Sequence, residues 1–340
     1  MVNTSMWIKA LRVIPQVSKD EWRALDVISR WLIATRAAVF IMTALAAAIG
    51  GLLAYRSGNF SWNLFLLCFI GIVMAHAGNN LLNDLIDHKR GIDKDNYYRS
   101  LYGPQPLEHG LLTMKSFMAY FYITFGIALA IGIYLSVVTG VGVLYLLGAG
   151  LFFLLFYTWP LKYFGLGEPS VILVWGPLMV GGTYFVVSGG HLDNWVVLLS
   201  LVYALGPTTV LFGKHTDKLP EDKAKGVRTL PVVIGQKAAR YSTIGFWILQ
   251  YVLIFALIFT GHLGPAMLIV LLAIPKLIWA SKIFLKPRPL TKPEGPSGEG
   301  WPLYLVSHAF IYNRVFGMLF LLGLVVDVVL YKFGFIWNIF

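Results

Sequence analysis

The sequence predicts an all-α, polytopic membrane protein with nine transmembrane helices. Three observations carry that prediction. Of 340 residues, 58% are hydrophobic and only 13% are charged, against about 25% charged in a soluble domain. Nine apolar stretches, roughly 32–55, 61–82, 114–138, 141–158, 169–189, 194–212, 241–260, 263–284 and 308–334, are near the ~20 residues a helix needs to cross a bilayer. The connections between them are alternately basic and base-poor, which the positive-inside rule requires of a chain that crosses back and forth.

The alternation can be followed along the chain. Lys9, Arg12, Lys19, Arg23 and Arg30 precede the first span, and Arg56 is the single base of the next connection. Lys89, Arg90, Lys94 and Arg99 follow the second span, and no base follows the third. Lys162 follows the fourth, none the fifth, and the sixth is followed by Lys214, Lys218, Lys223, Lys225, Arg228, Lys237 and Arg240. The seventh connection is again bare, the eighth carries Lys286, Arg288 and Lys292, and the tail has Lys332. This pattern puts the N-terminus in the cytoplasm and the C-terminus outside. The net charge of +11 therefore belongs to cytoplasmic loops rather than to a nucleic-acid surface.

Residues 1–30 read as a cytoplasmic amphipathic segment ahead of a membrane domain over 31–340. Within it Ser18 and Glu21 have capping-box spacing before Trp22, Leu25, Val27 and Ile28. The mixed charges before Trp31 do not read as a cleavable signal peptide. Residues 286–302, rich in Pro and Gly, read as a flexible cytoplasmic loop. Cys68 lies in an apolar run and reads as a small buried hydrophobe. Arg36 and Arg314 fall near span ends, where snorkelling accounts for them. Lys276 lies deeper and is a candidate for facing a polar cavity.

Polar chemistry concentrates in two segments. In His76–Asp95, Asn80, Asn83, Asp84 and Asp87 share one helical face at i, i+3, i+4 and i+7. Amides and carboxylates at a membrane boundary are costly unless they face water or a cation. Asp93 and Asp95 extend the cluster. Oxygen donors without a cysteine suit Mg²⁺, which keeps waters and shares its shell with substrate phosphates. The second segment, Lys214–Arg228, holds Asp217, Glu221 and Asp222 among bases and lies four spans later, on the same side. That interval reads as two four-helix pseudo-repeats, each bringing an acidic helix end to one site. Two acidic clusters with bases match a diphosphate held through Mg²⁺. A transporter would place its ion site nearer the bilayer midplane. A phosphotransferase of CDP-alcohols would show a tighter Asp-Gly-x-x-Ala-Arg block than any present here.

These residues resemble a family. Asn83-Asp84-x-x-Asp87-x-x-x-Gly91-x-Asp93 is similar to the first Asp-rich motif of the UbiA-type intramembrane prenyltransferases, and Asp217–Asp222 followed by Gly226-x-x-Thr229-Leu230-Pro231 is similar to the second. Arg99, Gly103-Pro104-Gln105 and His109–Thr113 continue the likeness. Tyr157-Thr158, Pro160-Leu161-Lys162, Gly165–Glu168, Gly176-Pro177 and Gly182–Tyr184 look closest to the branch acting on 1,4-dihydroxy-2-naphthoate for menaquinone. The second motif departs from the pattern: Asp217 and Asp222 are five apart with Pro220 between them, so either Glu221 replaces one ligand or the loop is one residue longer.

The resemblance implies nine helices around a central cavity and transfer of a prenyl group from an allylic prenyl diphosphate to a lipophilic aromatic acceptor, with Mg²⁺ as cofactor. It implies roles for Asn80, Asn83, Asp84, Asp87, Asp217 and Asp222 in catalysis, and for Asp84, Asp87, Asp93, Asp217, Glu221 and Asp222 as metal ligands. Arg99, Lys162, Lys223 and Arg228 are the implied diphosphate partners. His76, Tyr157 and Lys276 are pocket candidates, with Phe152–Phe156 along an isoprenoid tail and Tyr97 and Tyr98 near the cation. A chlorin, carotenoid, glycerol-phosphate or sugar acceptor would use the same chemistry.

The topology is directly checkable: cysteines introduced near Lys89 and Lys223 are expected to react with impermeant reagent from the cytoplasmic side only. Labelling from opposite sides would break the nine-span reading.

Overall fold

The computed structural model describes residues 2–92, 103–298 and 300–334. Among these residues the regular structure is helical, apart from one isolated bridge between Phe164 and Arg228. The chain divides into two compact units, residues 1–45 with 63–159, and residues 46–62 with 160–340.

The first unit begins with three short helices, α1 (Thr4–Arg12), α2 (Lys19–Ala24) and α3 (Val27–Ala34). Each starts where its sequence supplies an N-cap. Asn3 accepts from Met6 N–H, and Ser18 and Glu21 close both bonds of the capping box. Asp26 caps α3 by accepting Ser29 N–H at 2.9 Å and Ser29 Oγ–H at 2.6 Å. It also receives the Trp7 indole N–H at 3.1 Å and Asn3 N–H at 3.2 Å, tying α1 to α3. Trp22, Leu25, Leu32 and Ile33 are buried with Leu81 and Leu85 of α5 (Trp62–Lys89) and Phe117 and Phe121 of α6 (Met114–Thr139).

The first predicted span is not one helix. α3 stops at Ala34, Arg36 adopts a left-handed φ of 56°, and a 3₁₀ turn (Ala37–Val39) leads into α4 (Phe40–Arg56). α5 has 28 residues and spans about 42 Å, longer than the ~30 Å hydrocarbon layer, so its polar last turns reach past the apolar region. α7 (Val141–Phe156) has only 16 residues. By length and composition, eight helices among the described residues are able to cross a membrane, and α7 is a shorter apolar helix. The fourth expected span, residues 141–158, is thus a shorter apolar helix of about 24 Å.

In the second unit the fifth span is composite: α8 (Gly167–Leu173), a π-helical stretch (Val174–Gly181) around Pro177, and α9 (Gly182–Val187). A proline removes one helical donor, and a π segment is where a chain absorbs such a break. α10 (Asn194–Asp217) is the core helix, packed on the π segment, α12 (Leu230–Phe259), which breaks at Gly235 (φ 85°), and α14 (Tyr304–Lys332). Between α10 and α12 lies α11 (Leu219–Ala224). The eighth span joins a 3₁₀ stretch (Pro265–Ala273) to α13 (Ile274–Phe284). Trp247 centres the apolar packing, with the rings of Tyr312 at 4.8 Å and Phe284 at 4.9 Å. Its indole N–H reaches Thr209 Oγ1 at 3.1 Å, and Asn313 donates to the same hydroxyl at 2.8 Å. Such interhelical bonds hold helices together where the surrounding lipid provides no hydrophobic drive.

Desolvation of the Asp26 carboxyl favours its neutral form, but the bonds from Ser29, Trp7 and Asn3 outweigh it and hold its pKa well below the usual carboxylate range. A depressed carboxylate contributes stability above its unfolded pKa of about 3.9 and loses it as the pH falls through the folded value. Protease cleavage within residues 13–26 is therefore expected to accelerate on acidification below about pH 4. Asp26→Asn should cleave faster at neutral pH and show little of this acid dependence.

Candidate functional site

The first acidic face stands on α5. Asn80, Asp84 and Asp87 are all buried, as their shared spacing requires. Asn80 donates its amide to Thr35 O at 2.8 Å, and the Arg36 guanidinium bonds Asn80 O at 3.1 Å. Arg36 also forms an ion pair with Asp84, which is 3% exposed. The left-handed turn at Arg36 thus aims a cation from the α3–α4 break at the middle of the acidic face. Strained backbone of this kind persists only where its surroundings over-determine it. The snorkelling expected of Arg36 is therefore replaced by pairing with a buried carboxylate. Asn83 accepts from Thr158 Oγ–H at 3.2 Å. His76 Nδ1 lies 2.7 Å from Thr43 Oγ1 and its ring meets Phe40. Tyr157 is the C-cap of α7, and Phe152 and Phe156 are exposed on α7. Asp93, Asp95, Tyr97, Tyr98 and Arg99 lie outside the described residues.

The second acidic segment occupies the α10–α12 connection. Asp217 is fully buried and both its oxygens are engaged: Oδ1 accepts Leu305 N–H and Arg288 Nε–H, each at 3.0 Å, and Oδ2 accepts Val306 N–H at 3.0 Å. It therefore caps the start of α14, where a helix presents unpaired donors and positive potential. Gly213, one turn earlier, makes this possible. A Cβ there would lie 2.9 Å from backbone atoms of Val306, so only glycine lets the two helices approach this closely. Arg288, within the Pro- and Gly-rich segment, also bonds Pro302 O at 2.9 Å and lies over the Trp301 ring.

Asp222 is buried and pairs with Lys218 at 3.3 Å. Glu221 Oε2 is buried without a hydrogen-bond partner. Lys223 and Arg228 are exposed, and Lys162 is half-buried in a 3₁₀ turn (Leu161–Tyr163). Lys276 lies over the Trp279 ring at 4.4 Å. One further pair went unread in the sequence: Glu168 Oε1 lies 2.6 Å from His215 Nδ1. Its signal was a glutamate at the opening of a span and a histidine at the close of another, residue types that lipid tolerates only in pairs.

The donors at both helix ends are carboxylate and amide oxygens, and the orphaned Glu221 oxygen is one that a cation would satisfy. This is the donor chemistry of Mg²⁺. Among the described residues no three of His, Cys, Asp and Glu converge on one point, which such an ion does not require, since waters and phosphate complete its shell.

Comparison with known proteins decides the family. The profile of the UbiA prenyltransferase family matches residues 41–294. The chain belongs to that family. It is an integral membrane prenyltransferase. Similar relatives include a 1,4-dihydroxy-2-naphthoate octaprenyltransferase of Bacillus subtilis, 25% identical over 66% of this chain and 71% of the relative. Another is UbiA prenyltransferase domain-containing protein 1 of Mus musculus, 28% identical over 76% of this chain and 79% of the relative. The fold is shared with a digeranylgeranylglyceryl phosphate synthase, with a TM-score of 0.59, 18% identity, and coverage of 88% of this chain and 97% of that one. It is also shared with a UbiA homologue of Archaeoglobus fulgidus bound to DMAPP and Mg²⁺, with a TM-score of 0.55, 15% identity, and coverage of 87% and 99%.

Replacing Asp217 by Ala leaves Arg288 and two helix-start N–H groups without their acceptor. The expected cost is roughly 3–5 kcal/mol, the usual consequence of removing one partner of a buried pair. It should appear as a lowered thermal midpoint in detergent, with Asp217→Asn falling between the two. An unchanged midpoint in Asp217→Ala would deny that α14 is anchored here.

Proposed function

We propose that this prenyltransferase uses Mg²⁺ to transfer the prenyl group of an allylic prenyl diphosphate to a ring carbon of a 1,4-dihydroxy-2-naphthoate-like acceptor, releasing diphosphate as the allylic C–O bond breaks and the substituent of that ring carbon, H⁺ or the carboxylate as CO₂, as the new C–C bond forms. The observation that carries the reading is the buried acidic face Asn80–Asp84–Asp87 at the end of α5, in a chain whose family transfers prenyl groups. The relatives named for naphthoate prenylation support the acceptor class.

The chemistry divides among residue types. Asp84 and Asp87 on α5, and Glu221 and Asp222 on α11, are the proposed Mg²⁺ carboxylates. Bound Mg²⁺ would supply positive charge against the diphosphate as the allylic C–O bond weakens. Arg36 pairs with Asp84 and orients it, because a buried carboxylate left without a partner would be costly. Asn80 and Asn83 hold the α5 face in register through Thr35 and Thr158. Lys162, Lys223, Arg228 and Arg99 are the bases proposed to meet the remaining phosphate oxygens. His76, Tyr157 and Lys276 are proposed around the organic substrates. From the alternation of bases we also place the N-terminus and both acidic segments on the cytoplasmic side, with residues 1–30 as an amphipathic segment there.

Asp84→Ala, Asp87→Ala and Asp222→Ala are each expected to slow Mg²⁺-dependent diphosphate release by about a hundredfold or more, measured on purified protein in detergent. Near-normal rates in all three would sink the assignment. Mass spectrometry of products from a panel of acceptors and prenyl diphosphates of several lengths identifies the substrates. Prenylation of a glycerol phosphate, chlorin or carotenoid with the naphthoate untouched would replace the acceptor proposed.

A further inference from the structure

One carboxylate holds both ends of the acidic connection between α10 and α12. Glu168, in the first turn of α8, is 1% exposed. Its Oε1 lies 2.6 Å from Nδ1 of His215 in the last turn of α10. Its Oε2 accepts the N–H of Leu230, the first residue of α12, at 3.3 Å. Thr229 occupies the N-cap position of α12 but makes no side-chain cap bond. Glu168 thus performs that capping from another helix, at a short helical segment that ends in the break at Gly235.

The backbone adds a tie beside it. Phe164 bridges Arg228 in parallel, and Gly165 at φ +73° turns the chain from that bridge towards α8. A side chain at Gly165 would be strained in its backbone and would crowd Val233 Cγ2 at 3.3 Å. Between the clamped ends, residues 216–229 carry Glu221, Asp222, Lys223 and Arg228. A buried ionisable pair adds little to stability beyond what apolar packing of the same volume would provide. Its distinctive contribution is directional, because two hydrogen bonds from one planar group set the separation of the elements they join.

We infer that Glu168 is a positioning residue: by gripping His215 and the start of α12 together, it sets the reach of the α11 acids towards the diphosphate. This rests on the reading of Asp222 as a diphosphate-binding acid. Neither Glu168 nor His215 needs to touch substrate for the effect.

The test uses the full-length protein in detergent, in a Cys68→Ala background, with Ala224→Cys as an exposed reporter inside the connection. Three quantities are measured: the rate of maleimide labelling without substrate, the Kd of inorganic diphosphate with Mg²⁺ by isothermal titration, and KM and kcat for geranyl diphosphate. Losing bonds to a charged group is expected to raise labelling in Glu168→Ala about tenfold or more, and to raise Kd and KM by a similar factor while kcat falls less. Glu168→Gln keeps an acceptor and a donor in place and should restore most of the wild-type values. His215→Ala frees one end and should give an intermediate effect that is not additive with Glu168→Ala.

A merely structural role would lower the active fraction, and with it the apparent kcat, at unchanged KM and Kd; that result overturns the inference. If Glu168→Ala yields no folded protein, His215→Ala with wild-type labelling and Kd overturns it equally. Asp222→Ala separates the two readings. Wild-type diphosphate binding and turnover in that variant remove the acid assignment itself. Lost binding there, with unchanged labelling and Kd in Glu168→Ala, removes only the clamp.

Discussion

A carboxylate buried among apolar helices must be neutralised where it stands, and much of this structure follows from how that is done. An unpaired ion in such surroundings costs several kcal/mol after all relaxation. Asp84 is met by Arg36, Asp217 by Arg288 and Asp327 by Arg56, and Glu168 lies within hydrogen-bond distance of His215. The last three also accept a backbone N–H from another element: Leu305 and Val306 for Asp217, Leu230 for Glu168, and Gly264 for Asp327. Each acid therefore joins chain segments far apart in sequence, and the charges act as fasteners between helices.

The same requirement separates the acids by use. Asp217 has its oxygens committed to α14 and to Arg288, whereas Asp222 pairs with Lys218 and Glu221 keeps one buried oxygen without a hydrogen-bond partner. On α5 the division is finer. Arg36 holds one oxygen of Asp84, and the strained turn that delivers Arg36 exists because α3 and α4 are not continuous. Fixed cations of this kind, set in place before any ligand binds, are the preorganised electrostatics that favours charge separation in a leaving group.

The parts of the fold legible in the sequence were those governed by bilayer thickness and by one-dimensional charge order. Span positions, their approximate ends and the polar face of α5 all follow from such rules. The capping box at Ser18 and Glu21 was equally readable, because it is local. Other features were not. The 16-residue α7 ends at Phe156, before the apolar run does, and neither the Arg36 break nor the π stretch at Pro177 interrupts hydropathy. Asp217 looked like Asp222 from the sequence, because what distinguishes them is the start of a helix nearly ninety residues away.

From its sequence alone this protein's class, its succession of apolar helices, its family likeness and its two acidic segments were determined. Each depends on residue type and spacing along one chain, which hydropathy and i, i+3, i+4 geometry translate directly. Only the tertiary structure decided that Asp217 caps the start of α14, that Arg36 pairs with Asp84, and that Glu168 bonds both His215 and Leu230 at the two ends of the α10–α12 connection. Those outcomes depend on donors brought within hydrogen-bond distance by close helix approaches, as at Gly213. A contact between residues so distant in sequence leaves no periodic trace from which it could be read.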